Sequence, residues 1–206
     1  MAPRRSYQRR SSRRPPAIRR IPWPVWAMLG VLVFVAGTAF STGATLEERD
    51  GFCASCHTQP ESAYFQRTQA ATVADLASNH HAMAATRCID CHSGPGLSGR
   101  VGAMALGAKD LAAFVTRTDQ QPAPLTVPIA DANCLKCHGD VPSKGGFPRH
   151  FHAFLARWQA ADPSAGTCVS CHSAHTTDGD PSLAYLEQAR TQQTCESCHV
   201  ALGARA

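Results

Sequence analysis

Aromatic side chains are scarce, with 3 Tyr, 3 Trp and 8 Phe in 206 residues. A hydrophobic core would be short of bulky material, so something other than side chains is expected to fill the interior. No strand–GxGxxG–helix pattern occurs, which disfavours a conventional nucleotide-binding α/β enzyme. Acids are missing from residues 1–20, and charge of either sign is missing between Ile21 and Leu46. No cysteine is left over once a single short motif has been counted. A hydrophobic content of 44% excludes disorder of the whole chain.

Charge divides the chain. Eight arginines (Arg4, Arg5, Arg9, Arg10, Arg13, Arg14, Arg19 and Arg20) lie in the first 20 residues, and the remainder holds 12 basic and 15 acidic residues. The net +5 is therefore a property of the tail. The uncharged run that follows is densest from Val25 to Phe40 and is long enough to cross a hydrocarbon layer of roughly 30 Å as a tilted helix. Pro22 and Pro24 suit a first helical turn, and Trp23 and Trp26 sit where interfacial aromatic anchors belong. A cleaved signal peptide, processed near Gly37-Thr38-Ala39, and a buried core helix are the competing readings. The expected division is a basic cytoplasmic tail (1–20), a transmembrane helix (21–44) and an exported domain (45–206), oriented by the positive-inside rule. The tail is read as a topology signal with some contact to the lipid bilayer, and no nucleic acid is expected as a partner.

All ten cysteines fall in five CxxCH motifs: Cys53-Ala54-Ser55-Cys56-His57, Cys88-Ile89-Asp90-Cys91-His92, Cys134-Leu135-Lys136-Cys137-His138, Cys168-Val169-Ser170-Cys171-His172 and Cys195-Glu196-Ser197-Cys198-His199. CxxCH is the signature of c-type haem attachment. Two thiols add to the haem vinyl groups, and the adjacent histidine lies under the iron. Zinc ribbons, thioredoxin-like redox pairs and a disulfide framework leave the uniform histidine unexplained. Five covalently bound haem c groups are therefore expected, ligated by His57, His92, His138, His172 and His199. Five haems in about 160 residues leave roughly 33 residues each, too few for separate domains. The porphyrins are expected to serve as the core, wrapped by short helices and irregular segments.

The fold class expected is thus mainly α and irregular, a multihaem cytochrome c domain plus one N-terminal transmembrane helix. Helices are expected at about 100–115 and 183–192, with turns at Gly94-Pro95-Gly96, Pro122-Ala123-Pro124 and Gly145-Gly146. Arg67, Arg87, Arg100, Arg149 and Arg157 are candidate partners for haem propionates. Five histidines lie outside the motifs, and five irons need five distal ligands. His80, His81, His150, His152 and His175 are the candidates, with the choice within each of the first two pairs left open. His175 is too near His172 to serve the same iron and suits a neighbouring one. Met83 and Met104 are read as apolar packing. No CxxCK variant is present to mark an open iron site of a terminal reductase.

Several of these elements, in this order, resemble the NapC/NirT family of membrane-anchored multihaem cytochromes. The similarity runs over Gly51-Phe52-Cys53, Ala77-Ser78-Asn79-His80-His81, Gly107-Ala108-Lys109-Asp110, Asn133-Cys134 and His172-Ser173-Ala174-His175. It implies a protein that oxidises membrane quinol and hands electrons to an exported redox partner. It also implies that Asp110 lies beside the first haem, where it would accept a quinol proton; Glu47, Glu48 and Asp50 are less specific candidates for that role. Two positions depart from the family pattern: Gln59 stands where Met is frequent, and Ala103 stands about where the family has a Lys. These departures, and the fifth motif, are also similar to a relay subunit of a larger respiratory complex, alternative complex III-like, fed by a quinol-oxidising subunit.

Overall fold

The computed structural model describes residues 22–141, 150–162 and 166–201, with the side chains of His150 and Cys198 outside the described set. The basic tail, Gly145-Gly146 and Arg149 also lie outside it. The chain divides into two units, Met1–Ser41 and Thr42–Ala206.

Helix α1, Trp23–Glu47, contains the uncharged run and has a mean hydropathy of 1.9 over its most apolar window. It is apolar on every side, buries nothing, and among the described residues is the one helix long and apolar enough to cross a membrane. It starts two residues later and ends three residues later than the expected 21–44 span.

The second unit is mostly helical. Short helices α2 (Asp50–Cys56), α3 (Glu61–Gln69), α4 (Leu76–Ala84) and α5 (Cys88–His92) are followed by the longer α6 (Gly96–Thr116). Next come α7 (Asp131–Leu135), α8 (His150–Ala161), α9 (Cys168–Cys171) and α10 (Gln188–Ala201). No strand forms among the described residues; two isolated bridges join His172 and Asp180 to Leu186. Residues 118–130 are irregular, as Pro122 and Pro124 require.

Local chemistry sets the helix ends. Asp75 caps α4 by accepting from the Ser78 backbone N–H at 2.8 Å, and the Ser78 hydroxyl accepts from the Asp75 N–H at 3.0 Å. Ahead of α6 the backbone turns through Gly94 and Gly96, both at positive φ, and a Cβ on Gly99 would come within 2.7 Å of the Gly94 carbonyl carbon. The expected helix at 183–192 is displaced. Pro181–Leu183 forms a 3₁₀ turn, and Ala184 and Tyr185 take left-handed φ, so the helix begins only at Gln188.

The polypeptide itself makes almost no apolar core. Among the described residues Tyr185 is the single buried large apolar side chain, while Asp75, Ser78, Asn133 and Ser173 are buried polar ones. Met83, expected to pack, is 80% exposed.

Candidate functional site

Two of the motif helices, α5 and α9, begin at their first cysteine. In α5, Asp90 reaches back to accept from the Arg87 backbone N–H at 2.8 Å, and in α9 the Ser170 hydroxyl accepts from the Thr167 N–H at 2.8 Å. A second carboxylate completes each. Asp50 Oδ1 accepts from the Cys88 N–H at 2.8 Å, and Asp131 Oδ1 accepts from the Cys168 N–H at 2.8 Å. Both acids stand three residues before a motif cysteine, Cys53 and Cys134. One carboxylate thus starts its own motif helix and fastens the next one along the chain.

The motif helices follow one another in space as they do in sequence: α2 packs on α5, α5 on α7, α7 on α9 and α9 on α10. Asn133 Nδ2 donates to the Cys91 carbonyl at 2.7 Å, joining the second motif to the third. Thr194 Oγ1 donates to the Ser170 carbonyl at 3.5 Å, joining the fourth to the fifth. Asn133 and Thr194 each directly precede the first cysteine of their motif.

None of the nine described cysteines forms a disulfide. The neighbouring Cys53 and Cys88 thiols act on each other, lowering the pKa of Cys53 and raising that of Cys88. The Cys134 and Cys168 pair repeats the arrangement, with Cys134 lowered to about 7 by Cys168 and Cys168 raised by Cys134. Burial raises Cys91 and Cys171.

The histidines resolve into facing pairs. Ring centroids of His92 and His175 are 6.4 Å apart, those of His138 and His80 6.0 Å, and those of His172 and His152 6.2 Å. Two imidazoles on opposite sides of one metal, each bonded at about 2.0 Å, place their centroids about 6.3 Å apart. The interplanar angles are 20° for His92/His175, 85° for His138/His80 and 13° for His172/His152.

Nitrogen chemistry agrees with this donor set. His80 Nδ1 lies 2.9 Å from the Leu76 carbonyl and His172 Nδ1 2.8 Å from the Ala184 carbonyl. A protonated Nδ1 held by a carbonyl leaves Nε2 as the free electron-pair donor, the usual state of a metal-ligating histidine. Burial drives the pKa of His175 down to about 4, which keeps that ring neutral. Tyr64 stacks on His175 at 4.1 Å and 3°. Arg67 lies over the Tyr64 ring at 4.9 Å and pairs with buried Asp75 at 3.0 Å, so the plane of His175 is fixed from behind. Cysteine pairs on a helical turn, with imidazole pairs whose centroids lie 6.0–6.4 Å apart, fit haem c.

Adjacent His80 and His81 diverge because successive helical side chains point about 100° apart. His80 turns to His138, whereas His81 Nδ1 lies 3.1 Å from the Thr86 carbonyl and 3.9 Å from Asp50. The first motif differs from the next three. His57 Nε2 faces a carboxylate, Asp110 Oδ2, at 3.9 Å, and the Asp110 side chain is half exposed. Glu47 is held by Arg100 at 2.6 Å and Asp50 by the Cys88 N–H, which gives these acids structural partners. Arg67, Arg87 and Arg100, expected to meet propionates, are engaged by Asp75, Asp90 with Glu48, and Glu47 respectively. Cys195 and His199 lie on exposed turns of α10.

Residues 162–204, which hold the fourth and fifth motifs, match the family described as the doubled CXXCH motif. Comparison with curated proteins and with solved structures gives no match. The family match indicates a multihaem c-type cytochrome carrying covalently bound haem c, whose chemistry is electron transfer.

Proposed function

We propose that this chain is a membrane-anchored pentahaem cytochrome, NapC/NirT-like, that draws electrons from the membrane quinol pool and delivers them to an exported redox partner. The observation that carries this reading is the unbroken spatial series of motif helices, α2, α5, α7, α9 and α10. Haem c, when bound, supplies reversible one-electron transfer. Each motif's cysteine pair holds one group, and His57, His92, His138, His172 and His199 are its proximal ligands. His175, His80 and His152 serve as distal ligands at the second, third and fourth motifs, supported by their facing distances. By count, His81 and His150 are the remaining candidates for the two end motifs.

The first motif is the intake. Quinol oxidation releases two electrons and two protons, so a carboxylate must stand where the quinol hydroxyl arrives. Asp110 is the candidate acceptor of one of those protons, a role supported by its half-exposed carboxylate facing His57 at 3.9 Å. The fifth motif, exposed on α10, is the exit. Helix α1 anchors the chain in the bacterial cytoplasmic membrane with the Arg-rich tail on the cytoplasmic side and residues 45–206 on the periplasmic side.

A relay role within a larger respiratory complex is the second reading, favoured by Gln59 and Ala103 at the two positions that depart from the family pattern. Reconstituting the isolated holoprotein in vesicles and adding a soluble menaquinol analogue separates the two. Haem reduction followed at the α-band supports direct quinol oxidation. Inertness to quinol, with full reduction by dithionite, supports the relay reading.

A further inference from the structure

Helix α6 carries an apolar stripe that nothing among the described residues covers. Leu97, Val101, Ala105, Ala108, Leu111 and Val115 recur at intervals of three and four, and all are exposed. Leu97 is 82% and Val115 72% exposed. At 1.5 Å per residue the stripe runs for about 27 Å, with no polar residue along it. A contiguous patch of this kind marks an interaction surface. It is not the face that meets the first motif. That face carries Asp110, opposite His57, and lies on the other side of the helix.

We propose that this stripe lies on a phospholipid bilayer, with α6 parallel to the membrane surface as an interfacial helix. The inference rests on the reading of α1 as a membrane anchor. The last turn of α1 lands on α6: Glu47 pairs with Arg100 at 2.6 Å, and a Cβ on Gly107 would meet Glu47 Oε1 at 2.8 Å. The residue that follows the apolar run, Glu47, is thus held against α6. Its flanking cation, Lys109, is exposed and can reach lipid phosphate while its stem lies along the apolar surface. Seating the stripe among the headgroups leaves Asp110 on the opposite face of α6, toward His57.

The test uses the full-length holoprotein in vesicles of phosphatidylethanolamine and phosphatidylglycerol doped with a phospholipid bearing a diazirine on its acyl chain. After photolysis, peptides are mapped by mass spectrometry. Label is expected on α1 and on the stripe residues of α6. The combined Val101→Glu, Leu111→Glu and Val115→Glu variant should lose the α6 label, while α1 labelling and haem absorbance persist. Wild-type α6 left unlabelled beside a labelled α1 overturns the proposal. So does crosslinking of the stripe to a co-purified membrane protein, which would make the occupant a subunit. An unlabelled α1 would instead bring down the anchor reading and this inference with it.

Discussion

The segments Asp50–His92 and Asp131–His172 are built on one plan and differ in what faces the first histidine of each. In both, an acid three residues ahead of a motif cysteine binds the backbone of the next motif at 2.8 Å. In both, the first cysteine of the earlier motif has its thiol pKa lowered, and that of the later motif raised, by the other. Yet His57 faces the carboxylate of Asp110, and its counterpart His138 faces the imidazole of His80. On the proposed reading an imidazole at that position would hold haem iron and leave the site to electrons alone, whereas a half-exposed carboxylate would add a proton acceptor. The same scaffold thus presents a carboxylate to the first histidine of one copy and an imidazole to that of the other.

The largest effect that could break this comparison comes from Asp110→Asn. The amide keeps the shape and loses the proton acceptor, so quinol-driven reduction should slow by about 10²-fold or more, the scale of general-base contributions. Reduction by dithionite should be unchanged, as stopped-flow at the α-band would report. Equal quinol kinetics in mutant and wild type would remove the functional difference between the two segments.

His80→Ala attacks the other side of the comparison. Losing the ring 6.0 Å from His138 should convert one haem per chain to a high-spin signal in EPR. His81→Ala, whose ring turns to Thr86 and Asp50, should leave the low-spin signal of the His138 site intact. The 85° plane angle at His138/His80, against 20° and 13° at the other two pairs, should also give that site the most anisotropic low-spin signal, lost selectively in the variant.

Asp50→Ala and Asp131→Ala test the shared plan. Each strips a buried N–H of its acceptor, at a cost of about 1–3 kcal/mol, and each should lower haem occupancy of the motif that follows. Denaturant titration with intact-mass measurement of attached haem reads both. Unequal costs would show that the two copies share a geometry without sharing its energetics.

Much of this was legible in the sequence, and the rest was hidden for identifiable reasons. CxxCH is a local motif, so attachment residues follow from spacing alone. Facing pairs are not local: His175 meets His92 only because the Ala77 N–H donates to the Ala174 carbonyl at 2.9 Å, a contact no spacing announces. The choice between His80 and His81 depends on the rotational phase of α4, which its Asp75 cap sets. Asp50 and Asp131 did carry a readable signal, the repeated Asp-x-x-Cys ahead of the first and third motifs. The helix expected from Leu183 failed on two left-handed residues that are not glycine, Ala184 and Tyr185, where the chain turns to hold His172.

The smallest effect sharpens the comparison at the caps. Helix α5 is started by an ionic acceptor, Asp90, which also meets Arg87 Nε at 3.4 Å, whereas α9 is started by the hydroxyl of Ser170. Replacing either by Ala removes one capping hydrogen bond and should cost about 1 kcal/mol in low salt. The Arg87 pair is exposed, so it adds at most a few tenths to about 1 kcal/mol, and added salt screens it. Denaturant curves taken with and without about 0.5 M NaCl should therefore show the Asp90→Ala penalty shrinking with salt and the Ser170→Ala penalty holding constant. Identical salt responses would mean that the carboxylate acts in α5 as the hydroxyl does in α9, through its hydrogen bond alone, and that charge contributes nothing to the difference between the two copies.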